Sequence, residues 1–168
     1  MDFKYISNDI RESIIETAHA VHRNPELSHK EFKTTDLLKN ELIKIGIEIP
    51  DEQPETGVVG LLRGSLPGPT LAMRADIDAL PIVENSEHEI CSGNGGVMHA
   101  CGHDMHAAIL FGALKKLNEN RNFEGTVFGL FQPGEESTPG GASKVLAEQP
   151  FEDYDVVAVI GNHTDSTL

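Results

Sequence analysis

Thr126-Val127-Phe128-Gly129-Leu130-Phe131 is a nearly continuous apolar run, and Gln132-Pro133-Gly134-Glu135-Glu136 follows it without a gap. A short apolar run bounded by turn residues reads as a strand buried on both faces. Val156–Ile160 repeats the pattern and carries the same expectation of two-sided burial. Val58–Arg63 and Leu71–Arg74 read as two further strands, joined through Gly64-Ser65-Leu66-Pro67-Gly68-Pro69. His106–Leu117 and Ala142–Glu148 have helical composition and lie between the strands. Upstream, Ile10, Ile14, Ile15, Ala18 and Val21 recur at helical spacing until Asn24-Pro25 stops the pattern. Ser28-His29-Lys30-Glu31 fits a capping box, in which hydroxyl and carboxylate each satisfy an orphan amide. Phe32, Leu38, Leu42 and Ile45 then make an apolar face, with Gly46 at the C′ position. Strands alternating with helices predict an α/β fold, a mixed and partly parallel sheet flanked by helices.

The bulk properties narrow the partners. The 168 residues suffice for one domain with its own core, and 16 glycines and 9 prolines are spread along the chain. The net charge of −14 repels phosphate backbones and anionic lipid, so neither nucleic acid nor a membrane surface is expected as a partner. The first residues carry no apolar signal region, and no apolar run approaches the ~18 residues of a membrane span. Cys91 and Cys101 are the only cysteines, and the second lies inside a histidine cluster. Metal ligation or a free thiol in a reducing cytoplasm is a better reading than a disulfide scaffold.

The chemistry gathers where strands end. Asp76 and Asp78 follow Leu71–Arg74, Glu135 and Glu136 follow Thr126–Phe131, and His163 follows Val156–Ile160. Ligands of open α/β sheets bind beyond the carboxyl ends of the strands, so these side chains are expected in one crevice. Met98-His99-Ala100-Cys101-Gly102-His103-Asp104-Met105-His106 adds a thiol and three imidazoles. Across the glycine, Cys101 and His103 can reach one ion from a loop; the alternative is a buried thiol beside surface histidines. Adjacent Glu135 and Glu136 can divide labour, one binding a metal and the other taking a proton from a metal-activated water. A plain solvated pair at a helix start is the alternative. Asp76 and Asp78 read either as an Asx turn into Pro81 or as carboxylates that orient a ligating imidazole. His19, His22, His29 and His88 read as ordinary residues, with His19 and His22 reserved for a structural part at a helix end.

Four stretches carry a resemblance. They are His22-Arg23-Asn24-Pro25-Glu26-Leu27-Ser28, Arg74 to Pro81, Gly96 to Asp104, and Phe131-Gln132-Pro133-Gly134-Glu135-Glu136. In this order they resemble the zinc-peptidase-type aminoacylase and carboxypeptidase family. The similar subgroup is the amidohydrolases: hippurate hydrolase, N-acyl-amino-acid and N-acetyldiaminopimelate deacylases, and auxin-conjugate hydrolases. The resemblance implies two divalent metal ions, Zn2+ or Mn2+, held by Cys101, His103, Glu136 and His163. It implies Glu135 as the proton-shuttling base, Asp76 as a supporting catalytic acid, and an N-acyl amino acid or small peptide as substrate. A carboxypeptidase or dipeptidase of the same family would keep this chemistry and change the substrate.

The resemblance also implies that residues 1–168 are the N-terminal part of a metallopeptidase catalytic domain. Family members are roughly twice as long, with a lid domain used in dimerisation and a final catalytic segment that supplies another metal-binding histidine. A homodimer is therefore expected of the full-length form, and an inactive metal-binding fragment is the alternative reading of the chain alone. Thr164-Asp165-Ser166-Thr167 after His163, and Met105 where glycine is common, depart from the family pattern.

Overall fold

The computed structural model describes residues 6–85, 88–148 and 151–164. Helix α1 (Asn8–Arg23) is capped by Ser7, whose side chain accepts from the Ile10 amide, and it ends at Asn24 as the sequence predicts. Helix α2 (Phe32–Lys44) ends where Gly46 turns left-handed at φ 75°. Strands β1 (Val58–Arg63) and β2 (Leu66–Asp76), helix α3 (His103–Asn118), strand β3 (Glu124–Gln132), helix α4 (Gly141–Glu148) and strand β4 (Val156–Gly161) follow in that order. The four strands lie in the order β1-β3-β2-β4. β1 is antiparallel to β3, whereas β2 runs parallel to both β3 and β4. The expected mixed α/β sheet is what forms.

Alternation along the inner strands explains their unbroken apolar character. Val58 and Leu62 of β1, with Val127 and Phe131 of β3, pack into the cluster that holds Leu38, Leu42, Leu110, Phe111 and Leu114 from the helices. Val59, Leu61, Phe128 and Leu130 point the other way, into a smaller cluster with Val145 of α4. Phe111, Phe128 and Phe131 are among the largest fully buried side chains. Burial of each contributes about 1.5–3 kcal/mol. The paired glycines Gly60 and Gly129 let neighbours close in, since a Cβ on Gly129 would come within 2.7 Å of Leu114.

Three expectations change. Among the described residues β4 lies at the edge of the sheet, with Val157, Val159 and Ile160 exposed at 64%, 54% and 52%. β2 begins at Leu66, inside the stretch expected to be a turn, because Leu66 pairs with Glu124 before a register shift leads into Thr70. Ser28-His29-Lys30-Glu31 forms no capping box. The carboxylate of Glu26 instead accepts the Lys33 and Thr34 amides at 3.2 and 2.8 Å, which frees Ser28 and Glu31 for contacts elsewhere.

Candidate metal centre

The three parallel strands end on one edge of the sheet. Asp76 at the end of β2 is level with Gln132 at the end of β3, and Arg74 is level with Gly161 at the end of β4. Helix α3 starts above this edge from Gly102, which is left-handed at φ 79°. A Cβ at Gly102 would lie 2.3 Å from Thr164 Oγ1, so glycine is what lets the segment after β4 approach the helix. The result is a meeting of four chain segments over one sheet edge.

Donor atoms converge there. Cys101, His103 and His163 form one group whose ligand atoms all lie within 4.8 Å of one another, and His103, Glu135 and Glu136 form a second. Cys101 Sγ is 3.5 Å from His163 Nε2. His103 Nε2 is 3.8 Å from Glu136 and 3.9 Å from Glu135. Donors held about 2.0–2.3 Å from a tetrahedral ion lie roughly 3.3–3.8 Å apart, so the Cys101–His163 sulfur hydrogen bond and the His103–carboxylate pairs, which are too long for hydrogen bonds, are all spaced close to what a shared cation needs. His103 Nε2 is buried and has no hydrogen-bond partner among the described residues. The donor set fits a divalent metal, with His103 common to both groups.

Partners fix which nitrogen of each ring faces inward. A carboxylate or carbonyl oxygen only accepts, so the nitrogen beside it must carry the proton. His103 Nδ1 donates to Asp78 at 3.1 Å, which turns Nε2 to the donor cluster. His163 Nδ1 donates to Thr164 O at 2.6 Å, which leaves Nε2 aimed at Cys101. His106 Nε2 accepts the Thr164 amide at 2.8 Å, and its Nδ1 donates to Asp76. Both nitrogens of His106 are thereby engaged in holding the residue next to His163.

The two aspartates take different partners. Asp76, 1% exposed, pairs with Arg74 at 2.8 Å and with His106, and it stands 3.7 Å from His103 Nε2. The carboxylate that orients a proposed ligand is Asp78. It meets His103, the Ser28 hydroxyl at 2.6 Å and the Glu136 amide at 2.9 Å. Burial alone would raise its pKa, yet these hydrogen bonds hold it down to about 2.

The electrostatics ask for a cation. Burial, a hydrogen bond to Glu136 and the charges of Glu136, Asp76 and Glu135 push the Cys101 thiol up to about 11. For His103, burial lowers the pKa, but Asp78, Asp76 and Glu136 outweigh it and the pKa is raised. Thiolate and neutral imidazole, the forms that bind metal, are both disfavoured until positive charge stands among the carboxylates. Along the adjoining open cleft of about 630 Å³, lined in part by Cys101, Met105 and His163, sits His99. Burial drives the His99 pKa down to about 4, so its ring is neutral at ordinary pH.

Several residues at the site escaped the sequence reading. Glu31 is fully buried and accepts the Gly134 amide at 2.8 Å, and His29 Nε2 lies 3.0 Å from Ser137 Oγ. His29 is thus no ordinary surface residue, since a Cβ on left-handed Gly134 would strike its ring. His22, reserved for a structural part, bridges Asp104 at 2.8 Å and Glu84 at 3.2 Å. Only the proximity of His22 to the Asn24-Pro25 helix end hinted at this. No disulfide joins Cys91 and Cys101, and the Cys91 thiol donates to the His88 carbonyl at 2.7 Å.

A mixed α/β sheet with thiolate, imidazole and carboxylate donors at its strand ends points to the class of metal-dependent hydrolases. The chain belongs to peptidase family M20/M25/M40, whose sequence profile matches residues 72–168. It is 44% identical over 148 residues to thermostable carboxypeptidase 2 of Saccharolobus solfataricus, covering 85% of this chain and 38% of that protein. It is 43% identical over 155 residues to the N-acetyl-L-cysteine deacetylase of Bacillus subtilis, covering 92% and 36%. A solved Bacillus subtilis structure, described as a dinuclear metal binding peptidase from the M20 family, superposes with a TM-score of 0.91 at 40% identity. That match covers 96% of this chain and 45% of the other. The chain spans less than half the length of these relatives.

Proposed function

We propose that this chain is the N-terminal part of the catalytic domain of a metal-dependent amidohydrolase that cleaves the amide bond of N-acyl amino acids or small peptides. The observation that carries the reading is His103 Nε2, buried, without a hydrogen-bond partner among the described residues, and facing two carboxylates at 3.8 and 3.9 Å. Cys101, His103, Glu136 and His163 would hold a pair of divalent ions, Zn2+ or Mn2+, with the thiolate favouring zinc. Such ions supply Lewis acidity and lower the pKa of water from 15.7 towards about 7. A dinuclear centre is also how the superposed Bacillus subtilis structure is described.

Glu135 is the base in this reading. Its side chain is 42% exposed against 23% for Glu136, so it can reach a water and a substrate while its neighbour stays with the donors. Glu135 takes the proton of the attacking water and passes it to the departing amine nitrogen, as a group within hydrogen-bond reach of both must. Asp76, held by Arg74 and His106, keeps the segment carrying His163 in place and adds negative charge beside His103. The same reading includes a lid and a final catalytic segment elsewhere in the protein, a homodimer, and a cytoplasmic setting. Among the described residues no helix is long and apolar enough to cross a membrane.

The deciding experiment places Glu135→Gln in a full-length protein carrying this chain. Turnover of N-acetyl amino acids is expected to vanish while metal content stays at the parental value. Near-normal turnover would overturn the role given to Glu135. The similarity to a thermostable carboxypeptidase favours a second reading in which peptides are the substrates. A panel of acyl amino acids against dipeptides, ranked by kcat/KM, separates the two.

A further inference from the structure

We infer that Ser28-His29-Lys30-Glu31, the segment between α1 and α2, is a brace that sets the position of the loop carrying Glu135 and Glu136. It rests on the metal-centre reading above and adds positioning residues that touch neither donor side chain. The brace reaches the loop directly at two places and at a third through Asp78. Glu31 accepts the Gly134 amide at 2.8 Å, immediately before Glu135. His29 Nε2 lies 3.0 Å from Ser137 Oγ, immediately after Glu136. Ser28 donates to Asp78 Oδ2 at 2.6 Å, and that same oxygen accepts the Glu136 amide at 2.9 Å.

The chemistry of these contacts is unusual for a loop support. Two carboxylates that share the loop from opposite ends, Glu31 and Asp78, each take one backbone N–H of Gly134–Glu136. Hydrogen bonds to an ionised acceptor are about twice as strong as neutral ones and hold an amide in a fixed direction. Glu31 is fully buried, although burial raises its pKa and so works against keeping a carboxylate there. Its side chain makes no cap bond to helix α2, whose end the Glu26 carboxylate serves. Left-handed Gly134 completes the fit, since any side chain there would collide with the His29 ring.

The test compares Glu31→Met, which keeps the shape and removes the acceptor, with Glu31→Gln, which keeps an oxygen facing Gly134. Both are made in the full chain, checked by thermal melting, and titrated with Zn2+ against a chromophoric chelator. Residues that orient metal ligands typically change affinity about 10–100-fold, so Glu31→Met is expected to weaken Zn2+ binding on that order, with Glu31→Gln within about threefold of the parent. A folded Glu31→Met with parental affinity overturns the brace, as does equal loss in both variants. Glu136→Gln runs in parallel. If it leaves Zn2+ affinity unchanged, the metal-centre reading fails whatever Glu31 does; if it weakens binding and Glu31→Met does not, only the brace fails. Should Glu31→Met not fold, Ser28→Ala and His29→Ala decide: a several-fold loss in either supports the proposal, and parental affinity in both overturns it.

Discussion

His103 donates Nδ1–H to Asp78 Oδ1 at 3.1 Å, and this contact determines which nitrogen of the ring faces Glu135 and Glu136. Asp78 ties that choice to the loop, because its other oxygen takes the Glu136 amide and the Ser28 hydroxyl. One buried carboxylate therefore aligns a proposed ligand on α3 with another beyond β3.

Replacing Asp78 by alanine leaves the His103 Nδ1–H and the Glu136 amide without partners in a buried place. Each unsatisfied buried donor costs about 1–3 kcal/mol, so the variant is expected to lose several kcal/mol of stability in urea titrations. Zn2+ affinity should fall in parallel, on the order of 10–100-fold. An Asp78→Ala protein that unfolds at the parental urea midpoint would contradict the role of this contact. Asp76→Ala, which removes the partner of His106 and Arg74, should instead loosen the segment around His163.

Metal binding should strengthen as pH rises. The Cys101 thiol sits at about 11 without a cation, and the pKa of His103 is raised. A metal ion must displace these protons, so binding releases them and weakens as pH falls. Zn2+ dissociation constants measured between pH 6 and 8 should show this slope, and Cys101→Ser should flatten it by about one proton. A slope unchanged in Cys101→Ser would remove Cys101 from the ligand set.

His22 gives a second pH signature, in stability. Burial lowers its pKa, but the hydrogen bonds and charges of Asp104 and Glu84 outweigh it and the pKa is raised above 6.5. A raised folded-state pKa means the contribution is fully present below 6.5 and is lost as pH rises through the folded value. Urea midpoints should therefore decline as pH rises past 6.5, and His22→Gln should remove that decline. If both proteins show the same pH profile, the bridge between α1, Glu84 and Asp104 contributes nothing to folding.

What the sequence made legible was whatever chemistry is local. The strand β3 and the pair Glu135-Glu136, the helix stop at Asn24-Pro25 and the left-handed Gly46 are all decided by neighbours a few positions away. The convergence at the strand ends was legible too, since parallel strands must end on one edge. Illegible were the contacts made across distance. Ser28-His29-Lys30-Glu31 matches a capping box residue for residue, yet Ser28 and His29 find side-chain partners 50 and 108 positions on. Asp76 and Asp78 are alike in sequence, and only the pleat of β2 and the turn after it separate a partner of Arg74 from a partner of His103.

The outer edge of β4 offers the last prediction. β2 occupies one side of this strand, and among the described residues β4 is the terminal strand of the sheet, so its other side presents backbone donors and acceptors. Val157, Val159 and Ile160 expose apolar side chains on both faces of the same strand. Such an edge combines the two features that promote pairing with another chain, open backbone groups and hydrophobic flanks. Charge is the usual remedy, because a lysine on an edge strand cannot be desolvated cheaply against a partner. Val157→Lys and Val159→Lys are therefore expected to raise several-fold the concentration at which the 168-residue chain self-associates, as followed by sedimentation velocity. Exposed substitutions of this kind change folding stability by only about 0.5 kcal/mol, so melting temperatures should barely move. Self-association that persists unchanged in the double variant would place the sticky surface elsewhere than β4.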